Sequence, residues 1–117
     1  MKAAVIILAD TDSLEALGRV ANALMTTQEF KDAGDEVQLI FDGAGTKWVG
    51  QLNNPRHKYH DVFQRVHDKV GGVCTYCAEA YAVTNQVREA GLPFADEYQG
   101  HPSIHRLVRE GYQIITF

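Results

Sequence analysis

The chain has 117 residues, which is enough for one domain with a hydrophobic core and too few for two. Hydrophobic residues make up 45% and charged residues 22% of it, the composition of an ordinary soluble globular protein. A formal net charge of −4 gives no overall attraction for nucleic acid or an anionic membrane, so we expect neither as a partner. We predict a single domain over residues 1–117.

The first predicted element is a buried strand. Residues 3–9 are an unbroken apolar run, typical of a strand covered on both faces in a parallel sheet. One positive residue precedes the run, Asp10 follows it directly, and the run is far too short to cross a bilayer. We therefore interpret it as a strand and not as a leader, and we expect a cytoplasmic protein.

Helices and strands alternate along the rest of the chain. A helix is predicted to begin at 12–15 with an acidic cap, because apolar residues then recur at helical spacing, and to stop at Gly34. The next predicted elements are a strand at 37–41, a turn at 42–45, a short helix at 46–52 and a helix over 56–69. They are followed by a strand at 73–74, a helix over about 77–90 and a brief strand at 93–95. The last two are a helix with Pro102 in its first turn, in which Ile104, Leu107 and Val108 face inward, and a strand at 112–117.

This alternation predicts an α/β fold: a three-layer, mostly parallel open sheet of about five strands with helices on both faces. Ligands of such sheets bind beyond the carboxyl ends of the strands. We therefore expect one sheet edge to hold Asp10, residues 42–47, residues 75–77, and residues 96–98 with His101 close behind.

Both cysteines fall at one predicted strand-to-helix junction. Cys77 lies in the expected first turn of the helix, where free N–H groups and the helix dipole favour a thiolate. A thiolate is the form that attacks sulfur or carries it as a persulfide. Cys74 is expected in the strand and therefore buried. The alternative for Cys77 is a small, buried apolar residue, as most free cysteines are.

The Cys74–Cys77 pair permits two other interpretations. A CxxC at a strand-to-helix junction is where thioredoxin-like dithiols occur, although neither Pro nor Gly separates these cysteines. As a metal site, the pair supplies two of the four ligands of a structural zinc site. His101 and His105 complete such a set only if the fold brings them near, and an exposed histidine pair is the simpler expectation.

Three further histidines, His57, His60 and His67, fall within about 80° of one another on the predicted helix over 56–69. Such a stripe suits a transition metal or a subunit contact. A solvated polar face is the simpler interpretation.

The glycine-rich segment Gly43-Ala44-Gly45-Thr46-Lys47 follows a predicted strand. It is neither a P-loop nor a GxGxxG motif, because the required spacing is missing. We interpret it as a turn that needs a flexible backbone. An anion nest with the side chains of Lys47 and Trp48 is the weaker alternative.

The order of these segments resembles the DsrE/DsrF-like proteins, small α/β subunits that include components of bacterial and archaeal sulfur-relay systems. The resemblance covers nearly the whole chain and no single motif carries it. It rests on the opening strand with Asp10, the turn Phe41-Asp42-Gly43-Ala44-Gly45, the helix start Cys77-Ala78-Glu79-Ala80-Tyr81, and the closing Glu110-Gly111-Tyr112-Gln113-Ile114-Ile115-Thr116-Phe117.

The resemblance implies a flavodoxin-like or Rossmann-like sheet and a homo-oligomer, often a trimer or hexamer. It also implies that Cys77 accepts and donates sulfane sulfur as a persulfide, with Cys74 an addition to the minimal pattern and a candidate resolving thiol. The expected partners are sulfur donor and acceptor proteins or small thiols, and the chemistry needs neither metal nor nucleotide. A non-enzymatic binding or assembly subunit is the remaining alternative. The expected pocket residues are Asp10, Asp42, Gly43, Gly45, Lys47, Tyr76 and His101.

Overall fold

The computed structural model describes all 117 residues, and its strands and helices alternate as predicted. The strands are β1 (Lys2–Ile7), β2 (Glu36–Phe41), β3 (Val70–Cys74), β4 (Phe94–Ala95) and β5 (Gln113–Thr116). The helices are α1 (Leu14–Asp32), α2 (Trp48–Asn53), α3 (His60–Val66), α4 (Thr75–Ala80), α5 (Thr84–Glu89) and α6 (Ile104–Arg109), with 3₁₀ segments at Gly43–Lys47 and His67–Lys69. None of these helices combines the length and apolar character that crossing a bilayer requires.

The five strands form one parallel sheet in the order β4-β3-β2-β1-β5, which confirms the predicted open α/β sheet. Residues 3–7 of β1 are buried, as the unbroken apolar run predicts. Because every strand runs in the same direction, all five carboxyl ends lie at one edge. The loops that follow β1, β2, β3 and β4 therefore meet there.

The two faces of the sheet carry unequal layers of helices. Successive crossovers from β1 to β4 place α1, α2, α3 and α5 over a core of 22 buried residues. The return to β5 carries α6 to the opposite face, where Leu107 packs with Ala4, Ile6 and Ile40. The expectation that Ile104 and Val108 also face inward is wrong, because both are exposed. Of the six residues in this short helix, only Leu107 is buried.

Two helices differ in extent from their predictions. The helix predicted over 56–69 begins at His60 and ends at Val66. The helix predicted over about 77–90 begins two residues earlier, at Thr75, and is broken into α4 and α5. The break follows from Ala82, whose φ of 57° lies in the left-handed region and cannot continue a right-handed helix.

Serine side chains cap the N-termini of α1 and α6, although the sequence pattern predicted these helix starts from an acidic residue and from Pro102. Ser13 Oγ accepts a hydrogen bond from the N–H of Ala16, so Ser13 is the cap of α1 and the acidic residue before it is not. Ser103 Oγ likewise caps α6, which places Pro102 before the helix and not in its first turn. Serine is among the strongest N-cap residues because its short side chain reaches these free N–H groups.

Candidate functional site

Four side chains converge beyond the carboxyl ends of β2 and β3. They are Asp42, Cys74, Cys77 and His101, and one ligand atom from each lies within 4.8 Å of the others. Cys74 is fully buried, Cys77 is 9% exposed, and the other two are half-buried. Two thiols, a carboxylate and an imidazole thus share one small, mostly covered space. We call these four residues the cysteine cluster.

Cys74 has two structural roles, because it ends β3 and is also the N-cap of α4. Its Sγ accepts a hydrogen bond of 3.3 Å from the backbone N–H of Cys77. A sulfur atom thus takes the place usually held by a serine, threonine or aspartate oxygen. Cys77 is the third residue of α4 and remains in its first turn, although it does not open the helix as the sequence suggested.

The surroundings of Cys74 keep it protonated. Burial, above all, raises the pKa of Cys74 to about 12; the N–H of Cys77 acts in the opposite direction, and the carboxylate of Asp42 adds to the increase. Cys74 Sγ also lies 3.7 Å from the carbonyl oxygen of Gly100 and 3.3 Å from Nδ1 of His101. Deprotonation of the Cys74 thiol therefore requires a cation or a base beside its sulfur atom.

Asp42 lies directly against Cys77. The Cys77 thiol donates to Asp42 Oδ1 at 3.5 Å, and the N–H of Gly43 donates to the same oxygen at 2.9 Å. Asp42 is also the N-cap of the 3₁₀ segment, so its backbone position is fixed by the turn that it begins. The sequence placed Asp42 in the pocket because it follows a strand, but it gave no sign of this contact with a thiol.

A tight hairpin turn brings His101 to the cysteines. Tyr98 and His101 pair as an isolated antiparallel bridge, with N–H···O distances of 2.9 and 2.8 Å. The two residues between them, Gln99 and Gly100, have φ of 50° and 84°, as a two-residue type I′ turn requires. Gly100 also accepts a 2.9 Å hydrogen bond from the N–H of Tyr76, which fastens the turn to the start of α4.

Aromatic side chains border the cysteine cluster on its outer side. The ring of Tyr76 lies over the imidazole of His101, with 4.8 Å between their centroids and 34° between their planes. Tyr76 is 59% exposed and Tyr98 is 65% exposed. The route from solvent to the sulfurs therefore passes an aromatic surface.

The glycines in the turn after β2 allow the backbone to pack closely against β1. Gly43 adopts a φ of 56°, and a Cβ placed on Gly45 would lie only 2.0 Å from the carbonyl oxygen of Ile7. The predicted need for a flexible backbone thus accounts for Gly43, whereas Gly45 is required because there is no space for a side chain. Trp48, considered for an anion nest, is instead 1% exposed in the core and donates its Nε1–H to the carbonyl of Ala9 at 2.9 Å.

Asp10 and Lys47 form an ion pair of 2.7 Å at the same sheet edge. The hydrogen bond from Lys47, and then that from the N–H of Thr11, hold the pKa of Asp10 below its ordinary value. The ammonium group of Lys47 also lies 5.7 Å from the ring centroid of Tyr81. Lys47 is thus engaged with its own neighbours, and neither partner of this pair belongs to the cysteine cluster.

The histidine stripe predicted on one helix face does not form. His57 precedes α3, His60 Nδ1 lies 2.7 Å from the carbonyl oxygen of Leu52, and His67 Nε2 lies 2.7 Å from that of Ala90. The stripe was wrong because it assumed one continuous helix. His105 is exposed and outside the cysteine cluster, so His101 alone among the five histidines joins the cysteines.

Comparison with known proteins identifies a relative. No family model matches the chain. Over 94 residues the chain is 30% identical to the uncharacterized protein MJ0733 of Methanocaldococcus jannaschii, and the match covers 80% of this chain and 76% of that protein. The chain belongs to the MJ0733 family.

The fold of this MJ0733 family member also occurs in a solved structure. The conserved protein of unknown function BT1422 from Bacteroides thetaiotaomicron superposes with a TM-score of 0.63 at 19% sequence identity, covering 97% of this chain and 94% of that one. At this identity the similarity shows the fold alone.

Proposed function

We propose that the protein handles sulfane sulfur through Cys74 and Cys77. The observation that carries the proposal is the placement of the two thiols, whose sulfur atoms lie within 4.8 Å of each other at the carboxyl edge of a parallel sheet. The order of the segments, which resembles that of DsrE/DsrF-like sulfur-relay subunits, supports the same chemistry.

Cys77 is the thiol that meets the donor, because it keeps some exposed surface whereas Cys74 has none. Asp42 Oδ1, 3.5 Å from Cys77 Sγ, accepts the thiol proton as the sulfur attacks the outer sulfur of a donor persulfide. The donor S–S bond breaks, the donor leaves as a thiolate and takes up a proton, and Cys77 carries the persulfide.

Two routes then discharge Cys77. An acceptor thiolate attacks the outer sulfur, takes it as a new persulfide, and returns Cys77 as a thiolate. Alternatively, Cys74 attacks the inner sulfur while His101 Nδ1, 3.3 Å away, accepts its proton. That route releases hydrosulfide and leaves a Cys74–Cys77 disulfide: the two thiols are oxidised by two electrons and the sulfane sulfur is reduced. A small thiol must then reduce the disulfide.

Intact-protein mass spectrometry after treatment with a sulfane donor tests this proposal. Wild type and Cys74→Ser should gain the mass of one sulfur atom, whereas Cys77→Ser should not. The Cys74→Ser adduct should persist longer, because the resolving thiol is missing. The experiment is done in the presence of a chelator, so that bound metal cannot occupy the thiols. Equal loading of the two serine variants would refute the assignment to Cys77.

The proposed partners are donor and acceptor thiols, on proteins or small molecules, together with further copies of this chain in a trimer or hexamer. The exposed rings of Tyr76 and Tyr98 give a partner an aromatic contact surface beside the sulfurs. Sedimentation analysis would measure the oligomeric state directly, and a monomer at all concentrations would contradict the oligomer.

A further inference from the structure

We infer that the cysteine cluster is a tetrahedral binding site for a zinc-class divalent cation, with Asp42, Cys74, Cys77 and His101 as its four ligands. The inference goes beyond the proposed sulfur chemistry. It requires no sulfur donor and rests on the geometry of all four side chains, including two that the sulfur chemistry uses only to accept protons.

Two of the six distances between the ligand atoms of the cluster match edges of a zinc tetrahedron. With Zn–S of about 2.3 Å and Zn–N or Zn–O of about 2.0–2.1 Å, a tetrahedral site places sulfur about 3.5 Å from nitrogen or oxygen. The measured distances are 3.3 Å from Cys74 Sγ to His101 Nδ1 and 3.5 Å from Cys77 Sγ to Asp42 Oδ1. These two pairs share no atom, so they are opposite edges of the tetrahedron. All four atoms lie within 4.8 Å of one another. The longest tetrahedral edge is about 3.8 Å, so a single ion contacts all four atoms once the widest separation closes by about 1 Å.

The chemistry of the four donors selects the ion. Two thiolates and an imidazole suit a borderline-soft cation such as Zn²⁺, whereas Mg²⁺ and Ca²⁺ prefer oxygen ligands throughout. Two thiolates and one carboxylate carry three negative charges, of which a divalent cation compensates two. Because thiolates are the ligands, binding displaces the thiol protons of Cys74 and Cys77. The cation compensates most of the negative charge that this creates in the covered site.

Backbone groups and one ring already hold the four ligands in place. The N–H of Cys77 donates to Cys74 Sγ, and the N–H of Gly43 donates to Asp42 Oδ1. The ring of Tyr76 covers the imidazole of His101, whose backbone is fixed by its pairing with Tyr98. Metal sites depend on this outer shell for ligand orientation, so the site is largely formed before an ion enters.

Cobalt titration of tag-free, reduced and chelator-treated protein tests the site, with Co²⁺ as the spectroscopic probe for zinc. Wild type should bind one equivalent and develop the intense sulfur-to-cobalt charge-transfer absorption and the d–d bands of tetrahedral cobalt, and Zn²⁺ should displace both. Cys74→Ser and Cys77→Ser should each weaken the charge-transfer band. Asp42→Asn and His101→Asn should lower cobalt affinity at least about tenfold, since even outer-shell changes cost about 10–100-fold.

Two matched variants serve as controls. His105→Asn removes an exposed histidine from the same region of the chain, and Asp12→Asn removes an exposed aspartate from the same sheet edge; both should retain wild-type affinity. Circular dichroism of the metal-free variants identifies any that do not fold, and the wild-type spectrum tests the site regardless of them. A wild-type protein without charge transfer, or equal losses in His101→Asn and His105→Asn, would overturn the inference. A failed sulfur-loading experiment would leave this cobalt spectrum unchanged.

Discussion

Cys74 Sγ lies 3.3 Å from His101 Nδ1 although 27 positions separate the two residues in the chain. The contact depends on the type I′ turn at Gln99 and Gly100, which reverses the chain after β4 and directs it back over the start of α4. A two-residue turn thus decides whether an imidazole reaches the buried thiol.

Gly100→Ala should therefore disturb both stability and the cysteine cluster. Gly100 has a φ of 84°, and an added Cβ would lie 3.4 Å from Tyr76 Cβ. Placing alanine in the left-handed region costs about 1–2 kcal/mol, and a backbone shift that relieves this strain would move the turn that holds His101. Urea unfolding monitored by circular dichroism measures the loss.

Gly111→Ala is the matched control for this substitution. Gly111 has a φ of 90° but nothing within 4 Å of its added Cβ, so the change carries the backbone cost alone. Cobalt affinity should fall in Gly100→Ala and stay unchanged in Gly111→Ala. Equal cobalt affinities in the two variants would show that the turn does not position His101.

Gly45→Ala should destabilise the protein more strongly than Gly100→Ala. Its Cβ would lie 2.0 Å from the carbonyl oxygen of Ile7, and a backbone atom cannot move aside as a flexible side chain can. We expect a loss of at least about 3 kcal/mol in the free energy of unfolding, at the upper end of overpacking effects. Thermal and urea unfolding measure it.

Gly18→Ala gives the opposite expectation from the same chemical change. Gly18 lies within α1 with nothing within 4 Å of an added Cβ, so alanine should stabilise the helix by about 0.5–1 kcal/mol. Destabilisation in Gly18→Ala, or a neutral effect in Gly45→Ala, would contradict this account of the two glycines.

The fold followed from local patterns in the sequence because those patterns are set by burial. The apolar run at 3–9 favoured a strand covered on both faces, and its alternation with helices predicted a parallel sheet. Residues 3–7 are such a strand, whereas Leu8 and Ala9 lie beyond its end and Leu8 is exposed. The break at Ala82 and the late start of α3 were missed, because no glycine marks the first and the histidines near the second fitted helical spacing. The periodicity of apolar residues also cannot predict hydrogen bonds between a side chain and a carbonyl group of another element, such as those of His60 and His67.

The candidate site was partly accessible from sequence and partly not. The rule that ligands bind at the carboxyl edge selected Asp42, Cys77 and His101 separately, since each follows a strand. It selected His101 because this residue follows β4 closely, but it did not predict the turn at Gln99 and Gly100 that brings the imidazole to Cys74. It also did not predict that Asp42 contacts a thiol, because that contact depends on the relative positions of β2 and β3 in the sheet.

Lys47→Met should raise the pKa of Asp10 toward its ordinary value of 3.8, because the hydrogen bond from Lys47 is the main cause of its decrease. The sign for stability follows from the direction of this shift. A depressed pKa favours the folded state above the unfolded-state pKa, and this contribution is lost as the pH falls through the lower folded value. NMR titration of the Asp10 side-chain carboxyl carbon measures the pKa in each variant.

Lys31→Met is the control, because Lys31 forms a similar pair with Asp68 at 2.8 Å elsewhere on the surface. That variant should raise the pKa of Asp68, which the hydrogen bond from Lys31 lowers, and leave Asp10 unchanged. If Asp10 titrates identically in wild type and Lys47→Met, the ion pair is not formed in solution.

Zinc should block sulfur loading, because both proposals use Cys77 Sγ. A thiolate that binds the ion donates electron density to it and is a weaker nucleophile than a free thiolate, and Cys74 is bound to the same ion. Wild-type protein saturated with Zn²⁺ should therefore gain no sulfur in the mass spectrum, and a chelator should restore the gain. His101→Asn, which lacks one ligand but keeps both thiols, should load sulfur at zinc concentrations that protect wild type. Identical loading of wild type with and without zinc would mean that the ion and the sulfur do not share these thiols.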